Sequence, residues 1–507
     1  MWRFLLPKPE LEKGDLRRGL RMLVIDGSFG QAMVSLSTGA FLVAFALLLG
    51  ASNKTIGLCA AAGPLAQMLQ MPAVYLVERM RARKLITVLA VIVSRGALLL
   101  VAALPWLVPR SAAIPVLLFL LLVHYGLGAV AGCAFNSWWR DLVPQRVMGS
   151  FFAERLRYAT IVAAVLGFSA AYLIDALKAR AYTPQLLYGG TFALASFLGL
   201  VGVGFLGRVP EPQMPPSPHA RLREAMLEPL ADRNYRSLML FLAWWSFAVN
   251  LAAPFFAVYM LDRLGLSMTW ILGLAVLSQI ANVLFFKPWG VFCDRFSNKS
   301  VLAVAGPLFI VTFLLWPFTT MPEPYFLTVP ILVAIHVISG VSTAGVAIAA
   351  GNFALKLAPP GRATSYLAVN GIVAGIAATI APVMAGFAAD WFSGEQVSMT
   401  LTWVSSEGDH APFSMPTLNF SGLDFVFLLA FAFGLYATHR LLGIQERGEV
   451  GDKVVREALF SEVRRTARQI STVAGVRQLM TVPFDWMRVA GRIGDNAVRN
   501  GMRNHVR

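Results

Sequence analysis

Hydrogen-bonding side chains inside long apolar stretches are the groups with which this chain could recognise a solute. They recur at helical steps of three or four residues in three stretches: Ser28, Gln31, Ser35 and Thr38; Ser246 and Asn250; His336, Ser339 and Thr343. Polar groups that face lipid without a partner are costly, so we expect them to face the protein interior. Small Ser and Thr residues can instead let two membrane helices pack closely, and for Ser35 or Ser339 alone packing is the better interpretation. Gln31, Asn250 and His336 are larger and favour recognition of a solute.

Motifs for covalent chemistry are missing from the sequence. It contains no H-E-x-x-H zinc motif, no G-x-S-x-G nucleophile turn and no G-x-x-x-x-G-K-[ST] phosphate-binding loop. The three cysteines, Cys59, Cys133 and Cys293, are an odd number without clustered spacing, which indicates neither a disulfide framework nor a metal site. We therefore expect no enzyme activity, no ATP motor, no metal and no cofactor.

The apolar stretches that carry these polar groups have the length of membrane spans. Charged residues make up 14% of the 507 residues, against about 25% in soluble domains, and hydrophobic residues reach 57%. Twelve stretches approach or exceed the roughly 20 residues that a helix needs to cross a bilayer. They cover residues 22–49, 55–77, 85–108, 113–138, 151–174, 186–207, 236–261, 269–293, 300–320, 327–350, 364–389 and 423–443. Because these runs are continuous rather than alternating, the sequence predicts an all-α membrane protein with twelve transmembrane helices and no long strands.

The distribution of positive charge predicts the orientation of the chain. The net charge is +16, and 37 of the 43 Lys and Arg residues fall on one side if the N-terminus is cytoplasmic. This asymmetry follows the positive-inside rule and predicts that both termini are cytoplasmic. A basic surface suits the anionic inner leaflet of a bilayer, so no nucleic-acid partner is expected. Short loops and the lack of a cleavable signal favour a bacterial inner membrane, and we expect a monomer.

Two charged loops occur twice, 216 residues apart. Their members are Pro72, Glu78, Arg79 and Arg83, repeated as Pro288, Asp294, Arg295 and Lys299, and Asn136, Arg140, Pro144 and Arg146, repeated as Asn352, Lys356, Pro360 and Arg362. A repeat of six spans restores the same orientation, so the sequence predicts two parallel six-helix bundles. The predicted domains are a cytoplasmic segment 1–21, a first bundle 22–207, a proline-rich linker 208–235, a second bundle 236–443 and a basic amphipathic tail 444–507. Within them we expect a short helix at 221–229 and a long outer loop at 390–422.

The loop that begins at Gly290 resembles the signature loop between the second and third helices of each half in the major facilitator superfamily. That signature has a glycine, an acid four residues later, an adjacent base, a second glycine and further bases. Gly290, Asp294, Arg295 and Lys299 match the pattern, and Ser297 stands where the second glycine belongs. Together with the repeat and the topology, the resemblance covers about residues 15–443.

The first copy of this loop departs from the family pattern. Val74 and Arg81 stand at the two glycine positions, and Glu78 replaces the aspartate. In the family, the acid and base of the loop latch the cytoplasmic helix ends together. For this chain the alternative is that the loop only anchors positive charge at the inner surface. The resemblance implies gating roles for Glu78, Arg79, Asp294 and Arg295.

The second repeated loop, between spans 4 and 5, holds Arg140 and Asp141. Asp141 can pair with nearby arginines, and such a network would break and re-form as two halves move. We assign Arg140 and Asp141 to gating on this ground. A charged turn that only sets orientation is the alternative.

In the family, the first and fourth helices of each half line a central cavity, which corresponds to spans 1, 4, 7 and 10. This resemblance adds His124 of span 4 and Trp245 of span 7 to the polar groups described above. The predicted substrate-binding residues are Gln31, Ser35, Thr38, His124, Trp245, Asn250, His336 and Ser339. They are neutral polar groups and aromatics, which favours a neutral or amphiphilic molecule over a phosphate ester that several arginines would bind.

Two charged residues lie inside the spans. Asp26 is off the polar face of span 1 and close to Arg18 and Arg21, so we expect it to form a structural ion pair. Arg95 lies near the bilayer centre and requires a partner there, either as a structural clamp or as a substrate anchor.

The sequence predicts secondary active transport of a small molecule by alternating access, with import and export both open. His124 and His336 can titrate near neutral pH, so proton coupling is an added hypothesis. The alternative function is a receptor or assembly factor that keeps a transporter scaffold without transporting, with the tail as its working part.

Overall fold

The computed structural model describes residues 7, 13–144, 148–214, 222–320, 323–359, 362–403 and 413–446. Most of these residues are helical, because a backbone surrounded by lipid must satisfy its N–H and C=O groups within its own segment. The helices are α1 (Lys13–Ser37), α2 (Ala40–Leu48), α3 (Asn53–Gln67), α4 (Gln70–Met80), α5 (Arg83–Leu107), α6 (Arg110–Leu142), α7 (Met148–Lys178), α8 (Pro184–Leu206), α9 (Leu222–Ala231), α10 (Arg233–Val258), α11 (Met268–Arg295), α12 (Asn298–Leu315), α13 (Thr328–Leu357), α14 (Ala363–Trp391) and α15 (Leu423–Leu441). The short α9 coincides with the helix expected at 221–229.

Most of these helices are long and apolar enough to cross a membrane. Within the described residues, ten helices meet this standard individually, and α1 with α2 makes an eleventh span that bends by 41° at its break. The prediction of one continuous helix over 55–77 is wrong, because α3 and α4 divide this crossing. Pro72 has no N–H for the carbonyl of Met68, which accepts from Met71 instead and tightens the chain at the break. With α3 and α4 counted as one broken crossing, the fold is the expected twelve-helix architecture.

The two halves of the chain pack their helices in the same order. In the first half α1 packs on α7 and α8, α5 packs on α6 and α8, and α3 packs on α6. In the second half α10 packs on α14 and α15, α12 packs on α13 and α15, and α11 packs on α13. Two seams join the halves, one between α3 and α14 and the other between α7 and α11. The repeated charged loops therefore mark a repeated bundle.

The hydrophobic core is continuous between the halves at one end of the bundle only. We call this end outer, because it carries the segment between α14 and α15, and we call the opposite end inner, because it carries the α8–α10 linker and residues 444–446. The largest buried cluster joins helices of both halves, as Cys59 of α3 and Ala385 of α14 illustrate. Toward the inner end the buried residues form separate clusters, one around Trp138 in the first half and one around Trp289 in the second. The halves therefore touch at the outer end and separate at the inner end.

The outer segment 390–422 contains a β-hairpin, which corrects the expectation of a loop. Strands β1 (Gln396–Trp403) and β2 (Phe413–Ser421) pair antiparallel, with a register irregularity between Met399 and Thr400. The alternation of apolar and polar residues from Val397 to Thr402 is the signature of a strand. The tail predicted from residue 444 onward lies outside the described residues beyond Glu446.

Candidate functional site

The interior between the two halves is closed at the outer end. The outer part of the first span, α2, packs on α10 and α11 of the other half. In the α3–α14 seam, backbones touch directly: a Cβ atom added at Gly57 would lie 2.1 Å from the carbonyl oxygen of Pro382, and one at Gly386 would lie 2.6 Å from that of Asn53. Glycine is required at both positions, because any side chain would push the halves apart. Backbone therefore packs directly on backbone where the two halves meet at this end.

The candidate residues of α1 differ in how far their polar groups are engaged. The hydroxyl of Ser35 donates to the carbonyl of Ala32 at 2.9 Å, and that of Thr38 donates to the carbonyl of Val34 at 2.8 Å. Both bonds stay within the helix, so each hydroxyl keeps its acceptor capacity for a second partner. The side chain of Gln31 is exposed, and it has no hydrogen-bond partner among the described residues. Gln31 is thus the α1 group most available to a solute.

On α10, Asn250 belongs to a small polar cluster. Its amide nitrogen donates to the carbonyl of Ser246 at 2.8 Å, and the Ser246 hydroxyl donates to the carbonyl of Ala374 on α14 at 3.0 Å. The amide oxygen of Asn250 takes no part in these bonds. Ser246 therefore ties two helices together, while Asn250 keeps an acceptor for a ligand.

On α13, His336 and Ser339 are both half-buried. Nδ1 of His336 lies 2.8 Å from the carbonyl oxygen of Leu332, and its ring packs edge-on against Trp316 with the ring centres 5.9 Å apart. Thr343, one turn further along, is exposed and donates its hydroxyl hydrogen to the Ser339 carbonyl. In the described residues, no hydrogen bond connects a candidate of the first half with a candidate of the second.

His124 and Trp245 are engaged by neighbouring helices of their own halves. Nδ1 of His124 lies 2.8 Å from the backbone oxygen of Ser94 on α5, and the Ser94 hydroxyl lies 3.2 Å from the same nitrogen. The indole ring of Trp245 packs on Phe309 of α12, with the ring centres 5.5 Å apart. In this structure both side chains therefore stabilise the packing of helices within their own half.

The gating residues suggested by the signature loops lie at the inner ends of α4 and α11. The side chains of Glu78, Arg79, Asp294 and Arg295 are all exposed. Over the described part of the chain, no hydrogen bond or ion pair links any of them to the opposite half. A latch between the halves is therefore not engaged at these residues in this structure, and their gating role stays a prediction.

A buried ionic network that the sequence reading missed surrounds Arg83 at the start of α5. Glu211, which follows α8, accepts from the backbone N–H of Arg83 at 2.8 Å, from Nε of Arg83 at 3.2 Å and from the N–H of Lys84 at 3.1 Å. The Arg83 guanidinium also pairs with Asp141 and donates to the Pro212 carbonyl at 2.8 Å. Arg83 and Glu211 are almost fully buried.

This network changes the expected partners of Asp141. The arginines of its own loop were expected to pair with it, but Asp141 reaches Arg83 on another helix, and its contact with the largely exposed Arg140 is a looser 3.6 Å. The reason is burial: a carboxylate gains more from a desolvated guanidinium than from one in water.

The second half repeats the carboxylate cap. Glu446 follows α15 by five residues, as Glu211 follows α8. It accepts from the backbone N–H of Lys299 at 2.7 Å and from the amide of Asn298 at 2.7 Å, at the first turn of α12. Lys356 lies 3.7 Å from the same carboxylate. Each half thus ends with an acid that caps its own third helix.

Asp26 and Arg95 satisfy each other inside the first half. Nη1 of Arg95 lies 3.3 Å from Oδ1 of Asp26, and it also donates to the carbonyl of Gly199 on α8. The expectation that Arg95 needs a partner and that Asp26 forms an ion pair agrees with this geometry, although the partner is Arg95 and not Arg18 or Arg21. A Cβ atom at Gly202 would lie 2.9 Å from Arg95, so the glycine provides the space for the guanidinium.

The linker helix α9 is bonded to the second half. Glu228 of α9 pairs with Arg362, the residue before α14, and Tyr366 of α14 lies within hydrogen-bond reach of the same carboxylate. This hydrogen bond raises the pKa of the exposed Arg362 guanidinium above its ordinary value. The linker is therefore held against the inner end of α14.

Comparisons with known proteins agree with this architecture. A family model described as Major Facilitator Superfamily matches residues 27–382. Among solved structures, the nucleoside transporter NupG is similar with a TM-score of 0.63 and 13% identity over 83% of this chain and 98% of that chain. The D-xylose-proton symporter has a TM-score of 0.62 and 13% identity over 86% and 99%. A bacterial homologue of the human lysosomal transporter Spinster, inward-facing and unoccupied, has a TM-score of 0.57 and 15% identity over 85% and 98%. No curated protein matches the chain.

Proposed function

This chain belongs to the Major Facilitator Superfamily, and we propose that it moves a small neutral or amphiphilic molecule across the membrane by secondary active, alternating-access transport. As a family member it is a multi-pass membrane transporter of small molecules and not an enzyme. Within the proposal, the membrane is a bacterial inner membrane with both termini in the cytoplasm, as the positive charge of the inner loops supports. The protein is proposed to act as a monomer.

One observation carries the mechanism. The buried core is continuous between the halves at the outer end and divided into separate clusters at the inner end. Two bundles joined in this way can rock about their contacts, which would close the inner end and open the outer one. An interior that is reached from one side at a time is the requirement for alternating access.

The chemistry of the interior supports the proposed substrate class. Gln31 and the amide oxygen of Asn250 offer neutral hydrogen-bonding groups, and Thr38 and Thr343 add hydroxyls. Arg95, the charged residue deepest in the first half, is already paired with Asp26. A substrate with several negative charges would require unpaired guanidinium groups, so a neutral or amphiphilic molecule fits this set better.

His336 is the proposed site of proton coupling. His124 is engaged by Ser94 on a neighbouring helix. In His336, Nδ1 faces a carbonyl of its own helix, and Nε2 has no hydrogen-bond partner within the described residues. An imidazole with one nitrogen engaged and the other available can accept a proton from the interior.

The experiment is a ligand screen by thermal shift on the purified protein, followed by uptake of each hit into proteoliposomes. We expect Gln31→Ala and Asn250→Ala to weaken binding of a hit about fivefold each, because one hydrogen bond contributes about 1 kcal/mol. Thr191→Val, a buried α8 hydroxyl bonded within its own helix, is the control and should leave binding unchanged. An uptake rate that is the same with and without an imposed pH gradient would contradict proton coupling. An equal loss of binding affinity in all three variants would contradict the proposed substrate site.

A further inference from the structure

Two aspartates on the outer side each reach across a seam to the start of a helix in the other half. Asp175 of α7 accepts from the backbone N–H of Thr269 at 2.7 Å, from the Thr269 hydroxyl, and from the N–H of Met268 at 3.2 Å, at the first turn of α11. Asp390 of α14 accepts from the backbone N–H of Lys54 at 3.3 Å, at the first turn of α3. These acids are absent from the candidate residues drawn from the sequence.

The internal repeat makes the two contacts equivalent. Asp175 and Asp390 are 215 residues apart, and so are their donors Lys54 and Thr269. The same spacing relates the seam helices α3 and α11 at their starts, since their N-cap residues are Ser52 and Ser267. The spacing is one residue shorter than the 216 of the charged loops, and the two contacts occupy equivalent places in the two seams.

The physical basis is the unsatisfied start of a helix. The first N–H groups of an α-helix have no partner in the helix, and they carry a partial positive charge that a carboxylate stabilises. Ser52 makes no side-chain bond to the N–H groups of α3, and Ser267 makes only one of 3.4 Å to those of α11. The acids of the opposite half take over this capping, which the helix would lose if the halves separated.

The surrounding contacts form only when the outer end is closed. Gly57 and Gly386 bring the α3 and α14 backbones together, as described above. In the other seam, a Cβ atom at Gly167 of α7 would lie 3.9 Å from Leu272 of α11. The carboxylate caps sit at the outer limit of both seams, so rocking of the halves toward an outward-open state must break them.

We propose that Asp175 and Asp390 form an outer latch: two carboxylate caps that hold the outer end closed and set the balance between the two conformations of the transporter. The inference rests on the proposed alternating-access function. Each cap contributes about a tenfold bias toward the closed outer end, equivalent to about 1.4 kcal/mol, and a capped helix start is worth energies of this order. Because one motion breaks both caps, their effects multiply.

The experiment measures the conformation directly and needs no substrate. In a background with Cys59, Cys133 and Cys293 replaced by alanine, a reporter Ala385→Cys is placed at a position that is fully buried in the outer core. Its labelling by a polar maleimide in detergent reports the open outer population. We expect Asp175→Asn and Asp390→Asn each to raise the labelling rate about tenfold or somewhat less, because Asn keeps one acceptor, and the double variant to approach a hundredfold.

The matched control is Glu395→Gln, which neutralises an exposed carboxylate five residues beyond Asp390. It should leave the labelling rate unchanged. Thr269→Val removes one of the three donors to Asp175 without altering size, and we expect a smaller rise of about threefold. This variant keeps the test decisive if an aspartate variant fails to fold.

The outcomes separate the latch from the proposed function. A double variant that remains folded and labels at the parental rate overturns the latch, whatever its transport activity. A raised labelling rate in a protein that transports no compound supports the latch and counts against transport. If Glu395→Gln raises the rate as much as Asp390→Asn, loss of surface charge explains the effect and the latch is overturned.

Discussion

Replacing Glu211 with glutamine should destabilise the protein more than any comparable change at the second carboxylate cap. Glu211 is 1% exposed, and its two oxygens accept from two backbone N–H groups and from the guanidinium of Arg83. A glutamine keeps the size but loses the charge and one acceptor. Breaking a buried ion pair costs about 3–5 kcal/mol, and because Arg83 retains Asp141, we expect about 3 kcal/mol.

The repeat provides the matched control, Glu446→Gln. Glu446 accepts from one backbone N–H and one amide, and its basic neighbour Lys356 is 3.7 Å away with a side chain that is 55% exposed. The Glu446 side chain is itself only 4% exposed, but its cation is half-exposed and distant and contributes little, so the loss is that of one charged hydrogen bond, about 1.5 kcal/mol. The structure thus predicts about a twofold difference in the loss of stability between two residues in equivalent places.

The assay is thermal unfolding of the purified protein followed by tryptophan fluorescence, for which the 12 tryptophans provide signal. We expect the midpoint to fall about twice as far for Glu211→Gln as for Glu446→Gln. Arg83→Met should lower it as well, since it leaves Glu211 buried without its guanidinium. Equal midpoints for the two glutamine variants, or a larger fall at Glu446, would refute the reasoning from burial.

Three further changes test other parts of the structure. Arg95→Met should lower the unfolding midpoint by the equivalent of about 3 kcal/mol because Asp26 is left unpaired, and adding Asp26→Asn should restore part of that loss in a double-mutant cycle. Gly57→Leu should force the α3–α14 seam open and raise labelling of an outer reporter cysteine, and an unchanged labelling rate in the folded variant would contradict the close backbone contact. Deleting residues 447–507 should leave uptake by proteoliposomes at half the parental rate or more, whereas its loss would favour the receptor or assembly-factor alternative.

The architecture could be read from the sequence because its signals are local or periodic. Long apolar runs mark spans, and the matched Asp294 and Glu78 loops mark the repeat without any knowledge of contacts. The break between α3 and α4 could also have been predicted, because Pro72 follows Pro64 by only eight residues. The hairpin was not predicted because it lies within a polar loop, although residues 397–402 alternate between apolar and polar as in a strand.

The interactions that hold the halves together could not be read in the same way. Glu211 lies 128 residues from Arg83, and its counterpart Glu446 is displaced from the 216-residue repeat because the hairpin lengthens the second half. For Asp175 the partner is a backbone N–H group, which every residue except proline possesses, so the sequence gives no sign of the pairing. Residue type also did not show that His124 turns toward α5. The partner of each of these side chains depends on which group is nearest after the helices have packed.

The attachment of the hairpin has a consequence for following the motion of the protein. Arg263, at the end of the π-helical turn after α10, donates to the Ser421 hydroxyl at 2.6 Å and pairs with Asp424 of α15 at 3.3 Å, and it reaches Thr320 beyond α12 at 3.2 Å. All of these groups belong to the second bundle, so the β-sheet must travel with that bundle as a rigid appendage. A fluorophore or antibody fragment attached to the strands would therefore tilt together with the second bundle. Its tilt angle, measured in single molecules from outside the bilayer, would report each change between the two conformations of the transporter.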